Sequence, residues 1–582
     1  MRILPVYPKF PVSFWSFKYA VEMLGKKSSM PPLGLATVAA MLPGDIEVQR
    51  IIDMNVEPLT DEQIGDADIL ITSSMIVQRN SLEDVINRAH AHGKKVIAGG
   101  PYPTSYHGEI TADHFVLGEA ESIMPKLIED LKGGRLQRIY APYHHSPKPS
   151  ITETPIPRWD LLKMQNYVAM VIQYSRGCPY DCEFCDITAL FGRSSRTKSP
   201  EQMTGELDAL HHVGWKGSVF IVDDNFIGNK NHVRQLLPEL INWQKQKKYP
   251  FQFYTEASME LASPNHTDIL EGMAEAGFDM VFTGIESVDP EVIKKMNKGQ
   301  NLGRQTPHEK VETLQKAGLE VTAGFIIGSD GEKREVFNNL FNFIQESGII
   351  IPMVGLLTAV KGTRLYERLQ REGRLRTETS GNNTHHLGFN FQPELEEEFL
   401  IRNYTDLLDK LFEPGNFYQR CQVLYERRKD HPTLAVNHRV DKHSLQAFAK
   451  IVYQNVVREP SLDFVKYMAK TALIAPKNLP EAITYAVKLH HFRKMTQGTQ
   501  AIMNYQDETK GWYSSFQEEV SRFKGNAKER LAHIQSIEEG LLRKARVNYE
   551  RINEDFRHDA QEAFEWLRTS LEQKRLTYLN LF

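Results

Sequence analysis

Residues 175–185 read SRGCPYDCEFC and hold three of the four cysteines in the chain, Cys178, Cys182 and Cys185. Three and two residues separate them, on a tight loop with glycine and proline, so their thiolates can converge on one metal centre. A tetrahedral zinc site would need a further cysteine or histidine at matching spacing, and none is near. A 4Fe-4S cluster held by three cysteines keeps one iron open to a non-protein ligand. Unligated core cysteines are the remaining alternative, which the polarity of the loop disfavours.

The cysteine loop follows the first of six predicted strands, which alternate with predicted helices. This alternation is typical of a full or partial barrel whose active site lies at the carboxyl ends of the strands. Ser199, Pro200 and Gln202 predict one helix start, with a cap, a first-turn proline and a capping-box glutamine. The predicted strands are 168–174, 218–222, 251–255, 280–283, 321–327 and 349–357.

A shorter strand–helix series occupies the first ~130 residues and predicts a doubly wound parallel sheet. Ligands of such sheets bind at the carboxyl ends of the strands. Four loops lie there: Asp53-Met54-Asn55, Ser73-Ser74-Met75, Gly99-Gly100-Pro101 and Gly118-Glu119-Ala120-Glu121. Paired glycines after a buried strand let a ligand approach the backbone, although ordinary turn chemistry explains any single loop equally well. The predicted strands are 2–6, 47–52, 68–72, 95–98 and 114–117.

The rest of the chain divides by composition. Residues 136–166 are rich in proline, histidine and serine and are interpreted as a linker, which places the first domain at 1–135 and the barrel at 167–375. Residues 376–500 are predicted to be helical, and 501–582 to form a long amphipathic helix. The apolar stripe of that helix has two interpretations, packing within the chain or dimerisation.

Composition excludes several classes of protein. The 582 residues are 41% hydrophobic and 25% charged with a net charge of −4, which argues against bulk binding to nucleic acid. Four cysteines are too few for a disulfide scaffold. The N-terminus has no signal-peptide pattern, and the longest uncharged apolar stretch, 348–360, is too short to span a bilayer. We therefore expect a cytoplasmic protein.

The spacing Cys-x3-Cys-x2-Cys, with the aromatic Phe184 before the last cysteine, resembles the signature of the radical SAM superfamily. This resemblance implies that Cys178, Cys182 and Cys185 bind a 4Fe-4S cluster whose open iron chelates S-adenosylmethionine (SAM). Reductive cleavage of SAM would then yield a 5′-deoxyadenosyl radical, supplied with electrons by a flavodoxin- or ferredoxin-type donor. From the strand-end loops, the resemblance implies SAM contacts at Phe184, Asp223, Asp224, Glu256, Ser258, Glu286, Gly324 and Ile326.

The N-terminal domain, standing before such a barrel, resembles the cobalamin-binding members of this superfamily. The fold implied is thus a Rossmann-like cobalamin domain, a partial (β/α)6 TIM barrel and a mostly α C-terminal region. The loop 53–58 lacks the cobalt-ligating histidine of methionine synthase-type domains, so the lower axial ligand is water, a side chain or absent. The implied cobalamin contacts are Pro32, Gly34, Asp53, Asn55, Ser73, Ser74, Gly99, Gly100, Pro101, Gly118 and Glu119.

The function implied is cobalamin-dependent methylation of an unactivated carbon in a small-molecule or lipid substrate. The segment 381–391 and the helices after it resemble a subgroup that includes hopanoid C-2 methylases. Ring formation, carbon–carbon coupling or rearrangement without methyl transfer is the alternative, and a non-enzymatic cobalamin sensor is a weaker one. A methylthiotransferase would carry a second N-terminal cysteine set, and residues 1–177 contain no cysteine. Peripheral membrane contact and a dimer through the C-terminal helix complete the expected partners.

Five further side chains belong to none of these sets. Tyr174, Arg176, Arg193 and Arg196 flank the cysteine loop and have two interpretations, contact with substrate or with the SAM carboxylate, and structural ion pairs. Cys421 is interpreted as a core cysteine.

Replacing Cys178, Cys182 or Cys185 by alanine is expected to abolish cleavage of SAM, because three thiolates are the minimum that hold the cluster. The measurement is formation of 5′-deoxyadenosine after anaerobic reconstitution with iron and sulfide, alongside iron content. Cys421→Ala is the matched control and should retain both. Formation of 5′-deoxyadenosine at the wild-type rate by any of the first three variants would refute the assignment.

Overall fold

The computed structural model describes residues 1–142, 147–376, 379, 381, 387–429 and 442–579. These residues form two six-stranded parallel sheets, a small two-stranded sheet and a helical C-terminal region. Part of the segment 381–391, namely 382–386, lies outside the described residues. Among the described helices none is long and apolar enough to cross a membrane.

The first sheet has the order β2-β1-β3-β4-β5-β6, and all of its pairings are parallel. Buried apolar clusters lie on both faces, which explains why its strands are continuous hydrophobic runs rather than alternating ones. The chain reverses direction across the sheet between β1 and β3, the point at which doubly wound sheets open a ligand crevice. Its strands are β1 Ile3–Tyr7, β2 Ile52–Asp53, β3 Ile69–Ser73, β4 Lys95–Gly99, β5 His114–Val116 and β6 Ile139–Tyr140.

The second sheet has the order β14-β13-β12-β11-β10-β7 and is also parallel throughout, as a partial six-stranded barrel requires. Between its first two strands, β8 and β9 pair antiparallel and close the segment that contains the cysteine loop. Irregular register interrupts β11 at residue 253 and β12 at residue 284. The strands are β7 Met170–Ile172, β8 Ser175–Arg176, β9 Arg196–Thr197, β10 Gly217–Ile221, β11 Phe251–Glu256, β12 Phe278–Glu286, β13 Glu320–Ile327 and β14 Pro352–Leu356.

The helices begin where their sequences carry capping residues. Ser199 accepts a bond from the Gln202 amide and Pro200 occupies the first turn, as predicted. Thr306 and Glu309 form a second capping box before α12. The helices of the two α/β domains are α1 Lys18–Met23, α2 Leu33–Met41, α3 Asp61–Asp66, α4 Arg79–Ala91, α5 Pro101–Tyr106, α6 Met124–Lys132, α7 Ile187–Phe191, α8 Pro200–His212, α9 Lys230–Lys247, α10 Thr267–Ala276, α11 Pro290–Lys295, α12 Pro307–Lys316, α13 Val336–Ser347 and α14 Arg364–Arg371.

Two predicted local features differ from the structure. Strand β6 lies inside the segment 136–166, which the composition predicts to be a linker. The strand joins the sheet by pairing Ile139 with Phe115. A two-residue strand has no periodicity to detect, since a neighbouring strand in space determines it. The predicted strand 47–52 is reduced to β2, preceded by a single bridge between Arg2 and Glu47.

The described part of the C-terminal region is mostly helical from Glu397 onward, but the single long helix predicted for 501–582 is wrong. One helix of 44 residues already begins at Leu479, and the chain breaks at 523–526 and 552–553 into three. Asn526 causes the first break, because its side chain and Glu529 form a capping box that starts a new helix. The helices are α15 Glu397–Leu411, α16 Pro414–Arg428, α17 Lys442–Val452, α18 Leu462–Ile474, α19 Leu479–Arg522, α20 Ala527–Arg551 and α21 Glu554–Leu579.

The apolar stripe of these last helices packs within the chain. Val520, Ile534, Ala545, Leu567 and Leu571 come from all three helices and are buried in one cluster. This favours the intramolecular interpretation of the stripe over dimerisation.

The C-terminal helices also contact the N-terminal segment. Lys18 and Tyr19 both bond to Asp555, with Nζ to Oδ1 at 2.5 Å and the phenol to Oδ2 at 2.8 Å. Phe14 stacks on Phe492 of α19, with ring centroids 5.9 Å apart. Residues near the two ends of the chain therefore form one packed unit.

Gly498 is expected to be irreplaceable where α19 crosses α21. A Cβ added there would lie 2.3 Å from the Phe556 ring, so Gly498→Ala should lower the free energy of unfolding by about 2 kcal/mol through overpacking. Urea unfolding followed by circular dichroism measures this. Gly511→Ala in the same helix is the matched control: nothing lies within 4 Å of the added atom, and stability should rise by up to ~1 kcal/mol. Equal effects of the two substitutions would contradict the packing described here.

Candidate active site at the carboxyl ends of the barrel strands

The three cysteines of the loop lie directly after β8, all as free thiols. Gly177 precedes them with φ of +88°, and a Cβ there would lie 2.5 Å from the Ser194 carbonyl oxygen. Only glycine can therefore occupy this turn, which brings the loop back against the β8–β9 pair. Glu183 and Asp181 fix the far side, through ion pairs to Arg368 and Arg364 of α14.

The surroundings of the thiols suit an iron–sulfur cluster that is bound through negatively charged thiolates. Burial raises the pKa of Cys178, and it raises that of Cys185 to about 12. Thiolates bind iron, so their negative charge must be compensated when they form. Lys298 lies close to Cys182 and Cys185, and the Gln300 amide donates to Cys182 Sγ at 3.3 Å. Both donors favour the thiolate form.

The thiols are not gathered around one ion position. Among the described residues, no group of three or more Cys, His, Asp and Glu side chains is arranged to hold a single metal ion. A 4Fe-4S cluster does not require such a group, because each cysteine binds a different iron atom.

Asp223 and Asp224 follow β10 and face the loop, but they do different things. Asp223 is fully buried, and its two oxygens accept bonds from the Tyr174 amide at 2.8 Å and the Ser175 hydroxyl at 2.7 Å. Asp224 accepts from the Gly177 amide at 2.7 Å. Burial raises the pKa of Asp223 to about 7 and that of Asp224 to about 6. Both predicted SAM contacts therefore also shape the backbone that leads into the cysteines.

Glu256 ends β11 and Ser258 follows it, and both carry polar atoms available to a ligand. Burial, then Asp224 and Asp223, raise the pKa of Glu256 to about 8, with no hydrogen bond contributing. The buried Ser258 hydroxyl has no hydrogen-bond partner among the described residues. The Asn225 side-chain amide group faces Cys178 and lowers the pKa of that thiol, while the Asn225 oxygen accepts from the Ser258 amide at 3.1 Å. Buried polar atoms without partners indicate a polar ligand such as an amino acid or ribose group.

Glu286 ends β12 in a left-handed conformation, with φ of +64°. Its Oε1 accepts from Lys298 Nζ at 2.6 Å, and that nitrogen lies 5.7 Å from the centre of the Phe184 ring. Burial lowers the pKa of Lys298, but Glu286 and Cys182 raise it by more, so the lysine stays charged. Gly324 lies opposite: a Cβ there would come within 3.8 Å of Glu286 Oε2.

Lys298 is the main residue that sequence reasoning missed. It follows a short helix and belongs to no motif, and only the fold brings it to both Glu286 and the cysteines. The predicted contact Ile326 packs in the small apolar cluster beside Phe184.

The cobalamin-binding residues predicted on the first sheet fall into two groups. Ser73, Gly99, Gly100 and Gly118 line one pocket that runs from the strand ends between α2 and α6. A Cβ on Gly100 would lie 2.7 Å from Ser73 Oγ, so only glycine fits the turn. Ser74, with an unpaired buried hydroxyl, Pro101 and Gly34 border this edge. The pocket lies at the switch point, where doubly wound sheets bind their ligands.

The second group lies toward the barrel instead. Asp53 is buried, where its Oδ2 accepts from the Tyr167 phenol at 3.0 Å and its Oδ1 accepts from the Asn55 side chain at 2.7 Å. Protein atoms thus already satisfy Asp53. Pro32 directly precedes α2 at the same interface.

Glu119 joins the two domains. It pairs with Arg176 at 2.7 Å and with Arg196 at 2.9 Å, and Glu121 pairs with Arg176 at 3.1 Å. Burial alone would lower the pKa of Arg176, but the two glutamates offset this and raise it. Of the two interpretations of Arg176 and Arg196, ion pairing is thus observed. Arg193, largely exposed, lies 3.5 Å from Asp181.

Three family models match separate parts of the chain. The family model described as B12 binding domain matches residues 26–128, that of the Radical SAM superfamily matches 172–344, and a domain of unknown function, DUF4070, matches 363–504.

Two relatives identify the family. An uncharacterized methyltransferase of Synechocystis is 39% identical over 84% of this chain and 91% of its own length. The chain belongs to the cobalamin-binding radical SAM enzymes. Hopanoid C-2 methylase of Rhodopseudomonas palustris is 38% identical over 64% of this enzyme and 71% of its own length.

Solved structures share the fold. The cobalamin-dependent SAM radical enzyme OxsB, with aqua-cobalamin and SAM bound, superposes with a TM-score of 0.55 at 15% identity, over 86% of this chain and 80% of its own. The radical SAM methyltransferase TsrM of Kitasatospora setae, with cobalamin and a 4Fe-4S cluster, gives 0.54 at 14% identity, over 74% and 99%. The predicted fold class, the family and the family's three cofactors are confirmed. The individual contacts remain predictions.

Arg176→Ala is expected to lower the free energy of unfolding by about 3 kcal/mol, because it leaves two buried carboxylates short of a partner. Urea unfolding of the cofactor-free protein measures this. Arg193→Ala, in the same loop, removes only an exposed pair and should cost less than ~1 kcal/mol. Equal losses in the two variants would show that the interdomain pairs contribute nothing of their own.

Proposed function

We propose that this enzyme transfers a methyl group to an unactivated carbon of an apolar polycyclic substrate. The observation that carries the proposal is the bond between Arg176, two residues before the first cluster cysteine, and Glu119 in a predicted cobalamin loop. The two cofactor sites therefore share a boundary, so a carbon atom activated at one lies near the methyl donor at the other. Both relatives described above are named methyltransferases or methylases.

The protein residues hold the reactants in position, while the cofactors carry out the reaction. When bound, the cluster with SAM supplies hydrogen abstraction, and cobalamin supplies the methyl group. Cys178, Cys182 and Cys185 hold the cluster, and Glu256 with the unpaired Ser258 hydroxyl binds the polar end of SAM. Protonated Lys298 compensates the thiolate charge and holds Glu286 at the mouth of the barrel. Holding the reactants in a fixed orientation replaces a bimolecular encounter with a local one.

The inner wall of the barrel favours an apolar, planar substrate. Phe220 and Tyr254 stack with ring centroids 4.7 Å apart, and Tyr254 lies on the same face of β11 as Glu256. Phe282 of β12 contacts Trp15, which is 45% exposed, at 5.6 Å between centroids. Aromatic rings at the mouth give apolar area without charge. The named product class of the hopanoid C-2 methylase relative, a polycyclic lipid, has this character.

The proposed setting is a reducing cytoplasm. A flavodoxin- or ferredoxin-type protein would deliver the electron, and no nucleic acid is involved. Cytoplasmic glutathione and thioredoxin keep cysteines reduced, as the free thiols of the cluster loop need.

Anaerobic reconstitution with iron, sulfide and cobalamin tests the proposal, with hopanoids as substrates and SAM labelled in its methyl group. Methyl transfer predicts label in the lipid and formation of both S-adenosylhomocysteine and 5′-deoxyadenosine. Formation of 5′-deoxyadenosine with an altered but unlabelled lipid would instead establish ring chemistry without methyl transfer. Failure to bind cobalamin would refute both.

Trp15→Ala is expected to raise KM for the lipid about tenfold, since an aromatic side chain contributes roughly 1–2 kcal/mol to apolar contact. Substrate-independent cleavage of SAM should not change, because the ring of Trp15 contacts Phe282 and none of the residues proposed to bind SAM or the cluster. The matched control is Trp566→Ala, a similarly exposed tryptophan on α21. If both variants behave as wild type, Trp15 does not line the substrate site.

A further inference from the structure

Helix α18 and the helical turn before it present apolar side chains to solvent. Leu473 is 84% exposed, Leu462 76%, Ile474 67% and Val457 62%, and Val465 is half exposed. Single exposed apolar residues are ordinary, but here five fall within eighteen consecutive residues, which needs an explanation. We call these five residues the α18 outer surface.

The α18 outer surface is not the face with which the helix packs on the protein, because α18 has a separate buried face. Phe464, Tyr467 and Thr471 are buried against α16, where Tyr467 stacks on Tyr418 with centroids 4.2 Å apart. The Tyr467 phenol also bonds to that of Tyr425 at 2.9 Å. The helix is therefore apolar on two opposite faces, whereas an ordinary surface helix is polar on its outer one.

Lysines are interleaved with the outer apolar residues. Lys466 and Lys470 lie between Leu462 and Leu473 in the sequence and border the groove between α18 and α16, beside the outer apolar residues, and Arg458 and Lys477 flank the helix; all four are exposed. Only Glu459 and Asp463 carry negative charge between residues 457 and 477. A net positive, apolar strip therefore lies on a protein whose overall charge is −4.

We propose that the α18 outer surface docks on an anionic lipid bilayer, with α18 parallel to the membrane plane. The leucines and valines would enter the acyl boundary, while the lysine stems extend to the headgroups. A protein partner fits less well, because lysine is depleted in the cores of protein interfaces. The contact is interfacial, since no described helix is long and apolar enough to cross the membrane.

The position of the surface fits delivery of a lipid to the barrel. Lys450 of α17, the helix before this turn, donates to the Met23 carbonyl oxygen of α1 at 3.3 Å. Trp15, at the mouth of the barrel, lies on the same N-terminal segment as α1. Membrane docking itself does not rest on the methyl-transfer proposal, because it uses no residue of the cofactor sites.

Flotation of the full-length protein with vesicles provides the test, without substrate. Vesicles of phosphatidylcholine and phosphatidylglycerol in equal parts should carry the protein, and those of phosphatidylcholine alone should carry much less. Binding should fall as salt is raised, because headgroup attraction to lysine is screened. Activity is not measured, so a wrong methylation assignment would leave this result unchanged.

Two variants separate the apolar and ionic parts. Val457→Gln with Leu473→Gln, and separately Lys466→Glu with Lys470→Glu, should each weaken binding by about tenfold or more. The matched controls are Val547→Gln with Leu576→Gln, exposed apolar residues of α20 and α21, and Lys216→Glu with Lys248→Glu, exposed lysines of the barrel. The controls should bind as wild type. Unchanged circular dichroism in all four confirms the fold.

Three outcomes would overturn the proposal. They are absence of binding by the wild-type protein, equal binding to neutral and anionic vesicles, and equal loss in test and control variants. Light scattering provides a fourth such outcome. If the wild-type protein is a dimer and the variant with Val457→Gln and Leu473→Gln is a monomer, the surface binds a second copy of the chain instead.

Discussion

Arg176 carries a charge almost wholly removed from water, and Glu119 and Glu121 compensate it from the other domain. An unpaired buried charge is far more costly than a paired one, so the two domains are constrained to meet in one relative position. The cysteine loop begins two residues later, and Glu119 belongs to a loop that borders the pocket of the first sheet. These ion pairs thereby connect a loop of the first domain to the start of the cysteine loop.

Near this contact, the carboxylates at the ends of the barrel strands have two different roles. Their positions in the sequence do not distinguish these roles. Asp223 and Asp224 accept bonds from the backbone of the cysteine loop, while Glu256 lies nearby and no hydrogen bond contributes to its pKa. Each follows a barrel strand and each has a raised pKa for the same cause, burial. Only the hydrogen bonds separate a side chain that supports the site from one that is free to bind a ligand.

Residues whose role depends on local chemistry could be predicted from the sequence. The cysteine spacing, the glycine pair before Pro101 and the strand–helix alternation all act over a few residues, and the observed sheets follow the predicted strands closely. Lys298 and Arg176 act on partners 12 and 57 residues away, so no local pattern points to their roles. In the C-terminal region, by contrast, a local signal was available in the sequence. The spacing of apolar residues alone predicts a helix that continues through residue 525, although Asn526 and Glu529 form a capping box that starts a new helix.

The bonds from Lys18 and Tyr19 to Asp555 have a consequence for the order in which the protein is built. During synthesis the N-terminal sheet leaves the ribosome first, and domains generally fold as they emerge. The segment around Trp15 cannot reach its final position until residue 555 has been made. The mouth of the barrel is thus completed last, after both cofactor domains have formed.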